Sequence, residues 1–406
     1  MEPKTYTTLE AFKPHFNALA RGGYLKIMKP TSFKKPYFNA LCRVLVWFFV
    51  VLYNLQHLIL VIQVRRSTER IVDILFILLT TLNTFGKQLA FNLRVHRIDK
   101  IIDVMNGVYF AATNRYHVDI MKENALAMYR ILRLYHVAIF TCGILWTIFP
   151  LVNRALGENV QFTAYFPFDT AESPTFEIVL AYMSILITLQ AYGNVTMDCT
   201  IVAFYSQAKT QIKMLRYDLE QFEKIDNIET KFTENIFERS SHIWKALKDE
   251  KIKIHSKLVF CVEHYRQIVW FVKEVESIFG EAMTVQFFVM AWVICMTVYK
   301  IVGLSIYSAE FVSMGVYLGC MLAQLFIYCY YGTQLKVESE SVNTSLYCSN
   351  WLSSLPKVRR QMLIMMQYCS KPLTPRTAYV IPMSLETYIS VLKSSYSLFT
   401  LLNQKH

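Results

Sequence analysis

Six segments of about twenty residues carry few charged side chains, and they restrict the folds open to this chain more than any other feature. They are Leu41–Ile62, Ile71–Phe91, Ile131–Val152, Ile178–Ser206, Met283–Val302 and Phe311–Tyr331. A helix needs about 20 apolar residues to cross the hydrocarbon core of a bilayer. The composition agrees, because 18% of the residues are charged and the mean hydropathy is +0.29. The sequence therefore predicts an all-α membrane protein.

A seventh segment, Ser384–Leu402, is less apolar than the other six but has the length of a span. At about 1.5 Å per residue it would reach roughly 28 Å, which matches the thickness of a bilayer core. We therefore expect seven transmembrane helices.

The distribution of basic residues predicts the orientation of these helices. Of the 42 Lys and Arg residues, 35 lie in the N-terminal arm and in the second, fourth and sixth connections, counted together with the ends of the spans that border them. Such residues collect on the cytoplasmic side of membrane proteins. We expect a cytoplasmic N-terminus and an extracellular C-terminus, which is opposite to a G-protein-coupled receptor. The cytoplasmic basic residues account for the net charge of +12, so this charge does not indicate binding to nucleic acid.

The segments divide the chain into four expected regions. Residues 1–40 form a cytoplasmic arm, and residues 41–331 hold spans one to six. Within the latter, residues 207–266 alternate charged and apolar positions at helical spacing, which predicts helices that continue out of the membrane. Residues 332–382 are interpreted as cytoplasmic anchor helices, and residues 383–406 as the seventh span.

The last span places most of its polar residues on one narrow stripe of the helix. Polar side chains inside a membrane usually face protein or water, so the stripe has two interpretations. The helix lines a water-filled pore formed by several subunits, or it packs among other helices with its serines bonded to its own carbonyl groups. Under the first interpretation Leu401 is a candidate hydrophobic gate. The pore candidates are Ser390, Lys393, Ser394, Ser397, Leu401, Gln404 and Lys405.

The C-terminal sequence also resembles a known family. The stretches YCSNWLSSLPKVRRQMLIMM (Tyr347–Met366) and SKPLTPRTAYVIPMSLETYISVLKSSYSLFTLL (Ser370–Leu402) are similar to the C-terminal signature of insect odorant receptors. The resemblance implies a tetrameric ligand-gated cation channel built from an odorant-binding subunit and a shared co-receptor. It also implies an anchor domain and a pore lined by the last helix. The fourth connection is shorter than in the co-receptor type, which favours the odorant-binding type.

The same resemblance implies a volatile ligand in the outer half of the membrane, between spans two to six. Such a site needs a small apolar cavity with a few polar groups, and several helix faces offer one. Trp146 is the strongest single candidate, and Phe168 joins the aromatic residues of the third connection as a possible lid. The ligand candidates are Phe76, Leu79, Thr80, Asn83, Ile139, Cys142, Trp146, Tyr165, Phe166, Met183, Ile187, Met290, Ile294 and Thr297. Lys87 and Asp198 are assigned to contacts between helices.

The sequence contains no pattern typical of an enzyme, a metal site or a cofactor site. The nine cysteines have no CxxC spacing, and the histidines form no HExxH motif. The expected partners are the co-receptor, a small volatile and membrane lipids, in the plasma membrane of olfactory sensory neurons. The alternatives are a seven-span G-protein-coupled chemoreceptor and a gustatory receptor relative, although the gustatory TYxxxxxQF-type motif is missing. Many transporters contain internal sequence repeats, and this sequence shows none.

Overall fold

A computed structural model describes residues 7–25, 36–64, 68–157, 160–170, 172–221, 241–302, 309–349, 351–352, 356–377 and 380–403. The secondary structure of these residues is almost entirely helical. The elements are α1 (Thr8–Arg21), α2 (Pro36–Gln63), α3 (Thr68–Leu93), α4 (Val95–Met105), a 3₁₀ turn (Val108–Phe110), α5 (Arg115–Ala155), α6 (Thr175–Glu220), α7 (Ser241–Val302), α8 (Ala309–Cys348), α9 (Pro356–Cys369), β1 (Arg376–Thr377), β2 (Ile381–Pro382) and α10 (Leu385–Asn403).

Six of the described helices are long and apolar enough to cross a bilayer, and they contain the six predicted segments. They are α2, α3, α5, α6, α7 and α8. The predicted class, an all-α membrane protein, is therefore confirmed. The helix α10 covers the seventh predicted segment, but it does not reach the apolarity of the other six. Whether it crosses the membrane stays a prediction, as does the orientation of the bundle.

The long helices extend well beyond the apolar segments. The helix α6 continues to Glu220, and α7 has 62 residues and begins at Ser241. The sequence predicted such extensions for residues 207–266, of which residues 222–240 lie outside the described part of the chain. The inner faces of both extensions are apolar, because Leu215 and Leu219 of α6 and Leu258 of α7 are buried. This periodicity of three to four residues lets the two extended helices pack against each other outside the apolar segments.

The helix α1 lies within the arm that the sequence analysis interpreted as polar and basic. Its apolar side chains recur at helical spacing, and Phe12 stacks on Phe204 of α6 at a ring-centroid distance of 5.0 Å. The helix also buries His15, and this burial lowers the pKa of the imidazole to about 4. The arm is therefore docked on the bundle through α1, a feature that the sequence analysis missed.

The apolar side chains that remain exposed also follow helix faces. On α5 the exposed side chains recur every three or four residues over the predicted span, and they are Leu134, Val137, Phe140, Ile144 and Ile148. A soluble protein rarely exposes a continuous apolar patch of this extent. A helix in a membrane presents such a face to lipid. These faces support the assignment of the bundle to a bilayer.

The helix α10 is fixed to α7 and α8 by a few close contacts. A two-stranded antiparallel ribbon precedes it, with Arg376 opposite Pro382. A Cβ atom at Gly332 of α8 would overlap the carbonyl oxygen of Met383, so the close approach of the chain there requires glycine. The Leu385 amide donates to Thr333 Oγ1 at 3.0 Å, and Ser395 Oγ donates to the Ala291 carbonyl at 3.2 Å.

The predicted polar stripe of α10 faces away from the rest of the described chain. Its described members, Ser390, Lys393, Ser394 and Ser397, are all exposed, whereas Ser395 is buried against α7. The hydroxyl groups of Ser390 and Ser394 donate to carbonyl groups one turn earlier in the same helix. The backbone of Leu401 belongs to α10, but its side chain and the residues Gln404 and Lys405 lie outside the described part of the chain.

Candidate functional site

A cavity of about 130 Å³ lies between α3, α5, α6 and α8. For comparison, an apolar cavity of about 150 Å³ binds benzene. The walls combine apolar and small polar side chains: Phe76, Ile77, Thr80, Thr81, Thr84, Tyr135, Ala138, Ile139, Cys142, Gly143, Trp146, Ile187, Thr188, Gln190, Ala191, Asn194, Val195, Tyr317, Cys320, Met321 and Gln324. The cavity is thus suited to a small, mostly apolar molecule.

Helical spacing explains why these residues share one space. On α5, Tyr135, Ile139 and Cys142 follow each other at steps of three and four and lie on one face. The helices α5 and α6 approach closely beside this face, because a Cβ atom at Gly143 would overlap Thr188 Oγ1. Glycine at this position therefore sets the width of the cavity between the two helices.

A second cavity, of about 210 Å³, lies beside the first in the direction of residues 160–170. Both cavities are lined by Phe76, Ile77, Trp146 and Ile187, so these side chains form the wall between them. The segment 160–170 covers the second cavity. It is held to α2 by the Tyr165 amide, which donates to the Gln56 carbonyl at 3.2 Å.

Most of the ligand candidates from the sequence lie at one of these cavities. Phe76, Thr80, Ile139, Cys142, Trp146 and Ile187 line the first cavity. Met183 lines the second, together with three of these. Asn83 and Met290 border a space of about 10 Å³, which is at the limit for a single water molecule.

The other candidates pack elsewhere. Leu79, Ile294 and Thr297 line neither cavity, and the Thr297 hydroxyl donates to the Val293 carbonyl of its own helix. Tyr165 and Phe166 belong to the segment that covers the second cavity, and Phe166 contacts the ring of Phe168. None of these three aromatic residues lines either cavity.

The sequence analysis missed every wall residue from α8 and most of those from α6. Gln190 and Asn194 continue the face of Met183 and Ile187 at steps of three and four, so extension of that face would have identified them. Tyr317, Cys320 and Gln324 form a similar face on α8. No sequence signal distinguishes this face from the others, because aromatic and small residues occur all around that helix.

A buried polar network lies at the end of the first cavity that is remote from residues 160–170. The Lys87 ammonium group donates to Asp198 and, at 2.6 Å, to Asn194 Oδ1. The Asp198 carboxylate also accepts from Tyr328 at 2.6 Å and from Gln324 and Gln286. The network thus joins α3, α6, α7 and α8 and confirms the assignment of Lys87 and Asp198 to contacts between helices.

Within the described residues, no group of three or more His, Cys, Asp or Glu side chains is arranged to hold a metal ion. The walls of the cavities likewise carry no carboxylate or imidazole group. The site can enclose, orient and hydrogen-bond a small molecule, and these are the functions of a receptor pocket.

Comparison with known proteins identifies the family of this chain. A family profile described as 7tm Odorant receptor matches residues 67–396. Odorant receptor Or1 of Anopheles gambiae is 23% identical over 348 residues, which cover 83% of this chain and 82% of the relative. Odorant receptor 46a, isoform B, of Drosophila melanogaster is 24% identical over 371 residues, with coverages of 89% and 88%.

The fold is also similar to a solved structure. The insect olfactory receptor OR5 from Machilis hrabei, determined in complex with eugenol, superposes with a TM-score of 0.82 at 15% identity. The alignment covers 98% of this chain and 99% of that receptor. The profile match extends over most of the chain and includes all six long helices except the first. The chain therefore belongs to the 7tm odorant receptor family, whose members are multi-pass membrane receptors of olfaction and not enzymes.

Proposed function

We propose that this chain is the odorant-binding subunit of a ligand-gated, non-selective cation channel. A small volatile binds in the first cavity and stabilises an arrangement of helices in which the pore is open. The ligand shifts this equilibrium only by the difference between its affinities for the open and closed arrangements. The proposal includes the resemblance-based expectations of a co-receptor partner and a plasma-membrane location in olfactory neurons.

The position of the cavity supports the ligand-binding part of this proposal. It is enclosed by four helices, and its volume suits a molecule of one ring or a short chain. The related receptor OR5 was solved with eugenol, a small aromatic molecule. In this chain Trp146 and Phe76 supply flat apolar surfaces for such a ligand. Because the ligand would contact several helices at once, its binding can change their relative positions.

The exposed polar stripe of α10 carries the channel part of the proposal. Ser390, Lys393, Ser394 and Ser397 face away from this chain, although polar groups exposed to lipid are costly. A pore axis shared by several subunits would place the stripe in water. The back-bonded hydroxyl groups of Ser390 and Ser394 still present oxygen atoms to that axis. One helix cannot enclose a pore, so the proposal requires an oligomer.

A path of direct contacts connects the cavity to α10. Gln324 lines the cavity and donates to Asp198, which also accepts from Gln286 of α7. Further along α7, the Ala291 carbonyl accepts from Ser395 of α10. A ligand that moves α8 relative to α6 therefore acts on groups that are bonded to the helix next to the proposed pore.

The test combines current recording with a cysteine scan of α10. The chain is expressed with an odorant co-receptor, and a panel of volatiles is applied while membrane current is recorded. Ser390→Cys, Ser394→Cys and Ser397→Cys are then treated with a charged, water-soluble thiol reagent during activation. Each is expected to change the current, because the reagent reaches a water-filled pore.

Ser395→Cys is the matched control, since this side chain is buried against α7, so the reagent should not reach it and its current should not change on treatment. Silence to the whole panel despite surface expression would argue against the channel. If the reagent leaves the current unchanged at all three stripe positions, α10 does not line the pore and only packs against the other helices.

A further inference from the structure

Two polar side chains in the wall of the first cavity lack any hydrogen-bond partner within the described structure. They are Gln190 of α6, whose side-chain nitrogen and oxygen are both unpaired, and Tyr135 of α5, whose hydroxyl group is unpaired. Gln190 is 2% exposed and Tyr135 is 9% exposed. Both residues line the cavity, and each unpaired atom is itself enclosed, so a bound molecule must enter the space beside that atom to form a hydrogen bond with it.

Several other polar side chains around the cavity have partners. The Thr80 hydroxyl donates to the Ile77 carbonyl at 2.8 Å, and the Thr84 hydroxyl donates to the Thr80 carbonyl at 3.0 Å. Asn194 accepts from Lys87, and Gln324 donates to Asp198. The wall also contains the hydroxyl groups of Tyr317 and Thr188 and the indole nitrogen of Trp146, and Gln190 and Tyr135 differ from these because their polar atoms are both fully enclosed and unpaired.

Unpaired buried polar groups are costly, so they are uncommon in native proteins and usually have a reason. Here the reason cannot be packing, because a methionine or leucine at position 190 and a phenylalanine at position 135 would fill similar volumes without that cost. A ligand that hydrogen-bonds to these groups removes the cost only when it is bound. The free energy recovered in this way adds to its affinity.

We propose that the cavity selects volatiles that carry one hydroxyl group on a small apolar body, through hydrogen bonds to Gln190 and Tyr135. This inference rests on the proposed function and specifies its ligand class. A hydroxyl group both donates and accepts, and the Gln190 amide offers both an acceptor oxygen and donor hydrogens. An alcohol or phenol therefore satisfies the amide oxygen and one donor at the same time.

Other functional groups satisfy the site less completely. A carbonyl group of an aldehyde or ketone only accepts, so it can pair with the Gln190 nitrogen or the Tyr135 hydroxyl but leaves the Gln190 oxygen unpaired. A hydrocarbon pairs with neither side chain. The expected order of potency is thus alcohol, then aldehyde, then hydrocarbon, for molecules of equal size.

The experiment uses two sets of volatiles matched in size and frame. One set is benzyl alcohol, benzaldehyde and ethylbenzene, and the other is 1-hexanol, hexanal and heptane. Concentration–response curves are recorded from the chain co-expressed with an odorant co-receptor. In at least one set the alcohol is expected to be more potent than the hydrocarbon by about 10- to 100-fold, the equivalent of one buried polar group left unpaired.

Two variants and one control assign this preference to the two side chains. Gln190→Met and Tyr135→Phe keep the shape of the wall and remove the hydrogen-bonding atoms, so each should reduce the alcohol-to-hydrocarbon potency ratio by about 10-fold. Thr200→Val is the control, because its hydroxyl group is paired with the Thr196 carbonyl within α6 and the residue lines neither cavity, so it should contribute nothing to the ratio. Surface expression of every variant is measured alongside.

The outcomes separate this inference from the proposed function. Silence of the wild-type channel to these six compounds overturns the inference alone when other volatiles of the panel evoke current, and silence to the whole panel overturns both. Currents with equal potency for alcohol, aldehyde and hydrocarbon overturn the inference alone, and so does a ratio unchanged in both variants. The ligand series on the wild-type protein remains decisive even if a variant fails to reach the surface.

Discussion

Removal of one charge from the Lys87–Asp198 pair should destabilise the protein more than removal of both. Lys87→Met leaves the Asp198 carboxylate buried with three neutral donors, from Gln286, Gln324 and Tyr328. Loss of one partner from a buried ion pair typically costs about 3–5 kcal/mol. The remaining charge is therefore the main source of the expected loss in stability.

Asp198→Asn creates the reverse problem, since Lys87 then retains Asn194 as an acceptor but loses its counter-charge. This loss is likewise expected to cost about 3–5 kcal/mol.

The double variant Lys87→Met/Asp198→Asn has neither charge. The side-chain oxygen of the introduced asparagine can still accept from Tyr328, and the introduced methionine fills most of the volume of the lysine. Replacement of a buried ion pair by neutral groups is often close to neutral in stability. We therefore expect the double variant to lie within about 1–2 kcal/mol of the wild type, above both single variants.

The assay is the apparent melting temperature of detergent-solubilised fluorescent fusions, read as the soluble fraction after a heat step. Each single variant is expected to melt well below the wild type, and the double variant above both. Lys273→Met, at an exposed lysine of α7, is the matched control and should change the melting temperature little. A double variant whose loss equals the sum of the two single losses would refute the argument.

Three further predictions follow from other contacts. Because burial lowers the pKa of His15 to about 4, the folded state loses stability as the pH falls below about 6.5, by about 2 kcal/mol at pH 5. The melting temperatures of the wild type and His15→Leu should therefore diverge at low pH, and parallel pH profiles would contradict this. Gly332→Ala should reduce ligand-evoked current per surface receptor, since the added Cβ atom displaces Met383 and the start of α10. Unchanged currents would mean that the chain at Met383 can move aside without affecting channel opening. Trp146→Ala should join the two cavities and so shift the alkanol chain length of greatest potency to a longer chain. An unchanged chain length would mean that Trp146 does not separate the cavities.

The six long helices could be predicted from the sequence because a membrane span depends on local composition alone. A run of about 20 apolar residues needs no knowledge of its neighbours to be identified. The helix α1 was missed for the opposite reason. Its few apolar residues, such as Phe12 and Leu19, are embedded in a basic arm, and they become meaningful only when Phe204 is known to face them.

The candidate site was accessible to sequence reasoning only in part. Ile139, Cys142 and Trp146 form a face on α5 that contains the small residues needed for a cavity, and this face does line one. The rotation of α8 about its axis depends on packing against α6, so Tyr317 and Cys320 could not be selected from sequence. The unpaired state of Gln190 likewise depends on what surrounds it, which no spacing reveals.

The separation of Lys87 and Asp198 along the chain, 111 positions, also constrains how the protein is made. Chains enter the membrane from the N-terminus as they leave the ribosome, so α3 arrives long before α6. Until then the lysine has no counter-charge, and its ammonium group must stay near the lipid headgroups, where a long side chain can reach water. We therefore expect the Lys87 side chain to reach its final position only after α6 has been synthesised, so the pairing of α3 with α6 is expected to be a late step in biogenesis.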